Sequence, residues 1–268
     1  MNITVYLGSR SGNRSCYADY AYALGAWIAR HGHTLVYGGS RTGLMGKLAD
    51  GALQAGGQVI GVEPQFFMDE ELQHEGLTKL IVTPDMTSRK QQMMDLGDIF
   101  PEFPCGIATL EEISQVMSQV KLHQMEGRFA FLDFDGYYQP MKALIQQMSD
   151  EGFVDEDWAD AVPFLPSFAA LTAFVLGRDL PRPGETWRHF KNHMYRILDL
   201  ADDAETGETY VVYKTLYGEY RDFIRPLDMF LSEVDHDKYP DVRQKWRFEK
   251  TAGLCSWNPA ISSQYLKK

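Results

Sequence analysis

Residues 34–46 read Thr-Leu-Val-Tyr-Gly-Gly-Ser-Arg-Thr-Gly-Leu-Met-Gly, and this stretch decides the fold. Leu35, Val36 and Tyr37 are β-favouring and apolar, the pair Gly38-Gly39 breaks the strand, and Gly43 to Gly46 opens a helix that runs to Ala55 before Gly56-Gly57 ends it. A second apolar run, 59–62, follows at once. A strand that returns through a helix lies parallel to its neighbour, because a tight hairpin is no longer possible. The same alternation repeats outward in both directions. Residues 3–7 form a strand that ends at Gly8-Ser9, and 17–31 carry Ala21, Leu24, Ala26, Trp27 and Ile28 at helical spacing up to the stop at His31-Gly32. Further along, strands are expected at 77–82, 98–103 and 129–134, and helices at 88–96, 109–123 and 138–151. The fold class is therefore α/β, a doubly wound parallel sheet with helices on both faces. In that architecture ligands collect at the carboxyl ends of the strands, where Gly8-Ser9, Gly38-Gly39 and Pro104 to Gly106 all fall.

The chain has 268 residues, 44% hydrophobic and 24% charged, with a formal charge of −11. That length holds one large domain or a large and a small one. The negative charge argues against broad binding to nucleic acid or an anionic membrane surface, so a phosphorylated ligand needs a local positive pocket. No apolar run approaches the roughly 18 residues of a membrane span, and the start of the chain reads as a strand, so a cytoplasmic protein is expected. Cys16, Cys105 and Cys255 are odd in number and widely spaced, which supports neither a disulfide framework nor a cysteine metal knuckle.

The character of the sequence changes after residue 178. Residues 179–186 contain Pro181, Pro183 and Gly184 and read as a linker. Residues 187–248 form a small β-rich module of short segments (187–190, 194–199, 208–216 and 222–230), and 249–268 are a tail.

The segment Pro104-Cys-Gly-Ile-Ala-Thr-Leu-Glu-Glu112 carries the most chemical information. Gly106 and Thr109 stand where a backbone approaches a ligand, and a helix begins directly after them, which makes a phosphate site beside a carboxylate. Glu111 and Glu112 point in different directions around that helix, so one of them at most reaches the crevice, and acids near a helix start also serve to complement its dipole. Cys105 is either a packing thiol or a nucleophile activated by the helix start. Gly38, Gly39 and Gly43 allow a close backbone approach to an anion or simply make a tight turn. Arg89 and Lys90, in Met86-Thr-Ser-Arg-Lys90, either grip an anion or form a solvated pair. Asp133 and Asp135 line the crevice or cap the turn at Gly136. His189 and His193 have a metal-ligand spacing, but their segment reads as extended and no acidic third ligand accompanies them.

Taken in order, Tyr6-Leu-Gly-Ser9, residues 37–46, Met86 to Lys90, Pro104 to Glu112 and Asp135-Gly-Tyr-Tyr138 resemble the LOG (Lonely Guy) family, long mislabelled as lysine decarboxylases. The resemblance covers about residues 1–177. It implies a Rossmann-like homodimer that hydrolyses the N-glycosidic bond of nucleoside 5′-monophosphates, cytokinin riboside monophosphates or AMP, to the free base and ribose 5-phosphate. No metal or organic cofactor is implied. The family pattern PGGxGTxxE lies over the chain without a gap and places the catalytic glutamate on Glu112, the phosphate-loop threonine on Thr109, the second glycine on Gly106 and the arginine of the RK motif on Arg89, with Glu111 outward. Catalysis is thus expected from Glu112 and Arg89. Substrate and phosphate contacts are expected from Gly8, Ser9, Gly38, Gly39, Gly43, Lys90, Cys105, Gly106, Ile107, Ala108 and Thr109.

Three departures accompany the match. Cys105 and Ala108 replace the first and third glycines of the pattern, and Pro101-Glu102 stand where an apolar strand leads into the loop. If the third glycine needs a positive φ, alanine there costs about 1 kcal/mol or more. The alternative reading is a catalytically weak or inactive nucleotide-binding sensor of the same fold. The C-terminal module resembles DUF1653 through Trp187-Arg-His-Phe-Lys191, Glu205 to Glu208, Val211-Val-Tyr213, Leu216-Tyr-Gly218 and Arg225 to Phe230. That resemblance brings no activity. Its aromatics with Arg225 make either a binding surface or a compact core with a salt-bridged arginine.

Overall fold

The computed structural model of the chain describes residues 1–68 and 72–251. Cys255 and the C-terminal tail from residue 252 lie outside them. The chain divides into two compact units, Met1–Leu171 and the part from Thr172 onward.

The first unit begins with β1 (Asn2–Thr4), α1 (Cys16–Arg30), β2 (Thr34–Tyr37), α2 (Gly43–Gln54) and β3 (Gln58–Pro64). It continues with α3 (Gln65–Met68), β4 (Lys79–Thr83), α4 (Met86–Leu96), β5 (Ile99–Glu102) and α5 (Ile107–Lys121). After β6 (Arg128–Leu132) come a 3-10 turn (Phe134–Gly136), α6 (Gln139–Asp150), α7 (Glu156–Ala161) and β7 (Phe164–Leu165), and α8 (Phe168–Leu176) spans the division. The sheet has seven strands in the order β4-β3-β2-β1-β5-β6-β7. All of its neighbouring pairs are parallel. The chain winds from β1 to one edge through β4, then crosses back and builds the other half from β5. The winding direction reverses between β1 and β5, so their carboxyl ends diverge and leave a crevice. Element types agree with the periodicity, but the sequence reading assigns nothing between 151 and 178, where α7, β7 and α8 lie. Those pieces are short, and β7 has only Phe164 and Leu165. Two residues give no alternation to read.

One face of the sheet is covered by α4 and α5. Val36, Val62 and Phe100 from the strands pack there with Met93, Met94, Ile113 and Val116 from the helices. The N-terminus of α4 is fixed by Asp85, whose carboxylate accepts from the Ser88 amide at 2.8 Å. Elsewhere α1 and α2 approach so closely that only glycine fits between them. A Cβ on Gly25 would lie 1.9 Å from the Leu48 carbonyl oxygen, and one on Gly51 would lie 2.0 Å from that of Tyr22.

The second unit is an antiparallel sheet of β8 (Thr186–His189), β9 (Met194–Asp202), β10 (Thr209–Thr215), β11 (Asp222–Pro226) and β12 (Phe248–Lys250), in the order β11-β10-β9-β8-β12. β10 alternates buried and half-buried residues along its length. The segment expected as one extended run over 222–230 is in fact β11 followed by the short helix α9 (Leu227–Leu231), which drops Phe230 onto Phe248 with ring centroids 4.1 Å apart. Pro226 ends the strand because it has no N–H to give to the ladder. Arg225 is not salt-bridged among the described residues. Its guanidinium donates to the Tyr213 hydroxyl at 3.2 Å and lies over the Phe248 ring.

The glycine contact between α1 and α2 gives a direct test of the fold. Gly25→Ala forces a methyl group into the α2 backbone and is expected to destabilise the protein by about 1–3 kcal/mol. Thermal denaturation followed by circular dichroism reads this as a lowered Tm. An unchanged Tm would show that the helices do not meet at that distance.

Candidate active site

The crevice is built by the turns that follow β1, β2, β3 and β5, together with the first turns of α4 and α5. Gly106, extended at φ −95° and ψ −167°, caps α5, and the helix proper starts at Ile107. That is two residues earlier than the periodicity predicts. Two consequences follow. The amides of Ile107, Ala108 and Thr109 have no acceptor within the helix, which is the arrangement that receives an anion. Glu111 and Glu112 fall in the second turn, so capping no longer accounts for them. Ala108 is helical, without a positive φ, so alanine there carries no left-handed strain. Gly106, Ile107 and Ala108 are exposed and Thr109 is buried. A Cβ on Gly106 would meet nothing, so the space in front of the loop is open.

Glu112 lies on the inner side of α5 and meets Arg89 from α4. The Arg89 guanidinium donates to Glu112 Oε1 at 2.7 Å and to the Val62 carbonyl oxygen at 3.0 Å. The two residues are 8% and 7% exposed, so the pair is desolvated. Burial raises the Glu112 carboxyl above its ordinary range, and Arg89 opposes that rise. Arg89 is therefore not the solvated half of an Arg-Lys pair. Lys90 is half-buried, and its ammonium pairs with the carboxylate of Glu111, which is exposed on the outer side of α5.

The glycines define the opposite wall. A Cβ on Gly38 would lie 2.3 Å from Arg89 Nη2, so glycine at this position makes room for the guanidinium. Gly39 has φ +87° and packs on Glu63. Gly43 has φ +55°, and a Cβ there would overlap the Ser9 carbonyl at 1.7 Å, so the turn after β1 rests on the start of α2. Gly8 lies across from Cys105, 3.8 Å from its Cβ to the position a Cβ on Gly8 would take. Ser9 itself is exposed.

Burial pushes the Cys105 thiol up to about 12, with a smaller opposing effect of Thr109. A raised thiol pKa is the opposite of what an activated nucleophile needs. Asp133 accepts from the Tyr138 amide at 2.6 Å and from the Gln139 side chain, and Asp135 accepts from Arg14 at 2.6 Å. Both acids therefore hold loops. His189 and His193 sit on the β8–β9 hairpin, where the His189 ring lies 4.7 Å from that of Phe248 and is pushed down to about 4 by burial. Among the described residues no group of three or more histidines, cysteines and acids is placed to hold a metal ion, and no helix is long and apolar enough to cross a membrane.

The structure adds three residues that the motif reading did not assign to the site. Glu63 at the end of β3, Glu102 at the end of β5 and the Tyr6 hydroxyl beyond β1 are all buried. Both Glu63 oxygens, Glu102 Oε2 and the Tyr6 oxygen find no hydrogen-bond partner among the described residues. Burial raises the Glu63 carboxyl and raises Glu102 to about 8. The signal was in the sequence: an acid closing an apolar strand run, as in Val59 to Glu63 and Ile99 to Glu102, has no structural reason to be there.

Comparison with known proteins follows this geometry. The family described as "Possible lysine decarboxylase" matches residues 45–173, and a protein family of unknown function (DUF1653) matches residues 185–250. A cytokinin riboside 5′-monophosphate phosphoribohydrolase of Rhodococcoides fascians is 40% identical over 154 residues, 57% of this chain and 78% of the relative. One from Arabidopsis thaliana is 36% identical over 152 residues, 57% of this chain and 67% of the relative. Among solved structures, the molybdenum cofactor carrier protein of Chlamydomonas reinhardtii aligns with a TM-score of 0.51 at 22% identity, over 65% of this chain and 94% of that one. At that identity the likeness shows the fold alone.

The buried pair makes its own prediction. Arg89→Met strands an unpaired carboxylate and is expected to destabilise the protein by about 3–5 kcal/mol at pH 7.5. The loss should shrink as pH falls, because an unpaired Glu112 takes up a proton in the folded state before it would in the unfolded chain. Urea unfolding at pH 7.5 and at pH 5 measures both. An equal loss at the two pH values would show that Glu112 is not the partner left behind.

Proposed function

Because the chain belongs to the LOG family, that of the cytokinin riboside 5′-monophosphate phosphoribohydrolases, we propose that it hydrolyses the N-glycosidic bond of a nucleoside 5′-monophosphate. The products are the free base and ribose 5-phosphate. The observation that carries this reading is the buried Arg89–Glu112 pair set beside the open N-terminus of α5. An anion site and a desolvated carboxylate lie at the same strand ends.

In the proposed mechanism the 5′-phosphate is held by the amides of Ile107, Ala108 and Thr109, with Gly8, Ser9, Gly38, Gly39 and Gly43 shaping the approach. Its binding serves as the remote handle that fixes the ribose. As the C–N bond stretches, positive charge grows on the sugar ring, and Glu112 in its carboxylate form stabilises that charge and takes a proton from the attacking water. Arg89 holds Glu112 in place and favours its ionised form. Lys90, engaged with Glu111 outside the crevice, contributes positive potential near the helix start. Cys105 packs beside Gly8 and keeps its proton throughout.

Protonation sets the acidic limit. Glu112 must be ionised to work, and burial raises it, so kcat/KM should fall as pH drops through a value above the ordinary carboxylate range. Purified protein incubated with AMP and with isopentenyladenosine monophosphate should release free base, read by chromatography. Glu112→Gln should lower kcat by about 10²–10⁴-fold and leave a folded protein. Binding of both nucleotides without release of base would reject hydrolysis in favour of the catalytically silent, nucleotide-binding reading.

We also infer a homodimer, which the family membership suggests and the exposed Phe66, Val82, Met86 and Ile107 on the first unit support. Light scattering at micromolar concentration should give twice the chain mass. A monomeric mass would reject it.

A further inference from the structure

Glu102 is the buried acid that the proposed mechanism leaves without a task. It ends β5, and strand alternation puts it on the same face as Phe100, the face covered by α4 and α5. Tyr6 is its bridge partner from the neighbouring strand end and stacks on Phe100 at 6.4 Å. Glu102 therefore lies on the side of the sheet from which Arg89 and Glu112 project. It is 1% exposed, and its Oε2 has no hydrogen-bond partner among the described residues.

Burial decides its protonation state, since Oε2 meets no donor among the described residues. The Tyr138 hydroxyl gives its proton to the Phe103 carbonyl oxygen at 2.9 Å, and its contact with Glu102 lowers the carboxyl against the larger effect of burial. We propose that Glu102 is a positioning residue of this site, a neutral carboxylic acid that holds its proton beside the Arg89–Glu112 pair and so keeps a second negative charge away from a bound phosphate. This rests on the reading above that the crevice binds a phosphorylated ribose.

The electrostatics agree. Burial raises Glu102 to about 8, opposed by the Tyr138 hydroxyl and helped by the nearby Glu112 carboxylate. Below that value it is neutral, and above it the crevice gains a charge that repels the ligand. The groups that face it are Tyr6 from beyond β1, Cys105 from the loop, Glu112 from α5, and Tyr137 and Tyr138 just before α6. Tyr6, Tyr137 and Tyr138 are pushed above their ordinary range, and Cys105 is raised to about 12. Tyr6, Tyr138 and Cys105 keep their protons between pH 7 and 9.5.

Calorimetric titration with ribose 5-phosphate across pH 7 to 9.5 tests this, since the phosphate keeps its charge over that range. Wild-type affinity should fall by about tenfold per pH unit above the Glu102 transition, while the isosteric Glu102→Gln variant should keep its affinity. Titration of the wild type in buffers of different ionisation enthalpy should show proton uptake on binding near pH 8, which needs no variant. Flat wild-type affinity without proton uptake, or an equal fall in Glu102→Gln, overturns the role of Glu102 alone. Absence of ribose 5-phosphate binding at pH 7 overturns the phosphoribosyl reading and this inference with it.

Discussion

The structure of the site depends on one desolvated ion pair. Removing Arg89 and Glu112 from water costs several kcal/mol per ion, and their mutual attraction offsets that only when the geometry holds and the remaining donors find acceptors. The Val62 carbonyl supplies one acceptor, and Gly38 supplies the space for the rest of the guanidinium. The pair therefore ties α4, α5 and the ends of β2 and β3 into one arrangement. A side chain at position 38 or a different register of α5 would break it. The geometry of the ion pair and the packing of this part of the sheet are the same constraint seen from two sides.

That constraint also explains why the departures in the glycine loop are tolerated. Ala108 sits inside the first turn of α5, where alanine is the best helix former, so the loop that precedes it is not distorted. Cys105 replaces a glycine whose neighbour, Gly8, leaves it ordinary van der Waals room. The backbone at Gly106 remains open. The free amides thus come from the start of a helix rather than from the three glycines of the pattern, and they remain where Cys105 and Ala108 replace two of them.

Much of this was legible in the residues. The run from Thr34 to Gly46 carries its own strand, turn and helix, and Gly43 at φ +55° is one of the positions where no other residue fits. The boundaries were less legible. α5 begins at Ile107 because Gly106 can take the extended capping geometry, and nothing in the local apolar spacing distinguishes Ile107 from Thr109 as the first residue. The two-residue strand β7 and the short α7 gave no period to detect. In the second unit, Phe230 reads as one more strand residue until its contact with Phe248 shows that α9 has turned it inward.

The sequence by itself determined the parallel α/β class, the glycine turns at the strand ends and the acidic and basic pairs at 111–112 and 89–90, because each is encoded within a window of a few residues. The tertiary structure decided how they combine. Arg89 and Glu112 are separated by more than twenty positions and meet only because the winding reverses between β1 and β5 and packs α4 beside α5 on one face. The sequence shows Glu63 and Glu102 closing apolar runs, but that both Glu63 oxygens and Glu102 Oε2 lack partners among the described residues only the fold reveals. A charge in a strand is only a residue type until folding buries it and leaves its oxygens without partners.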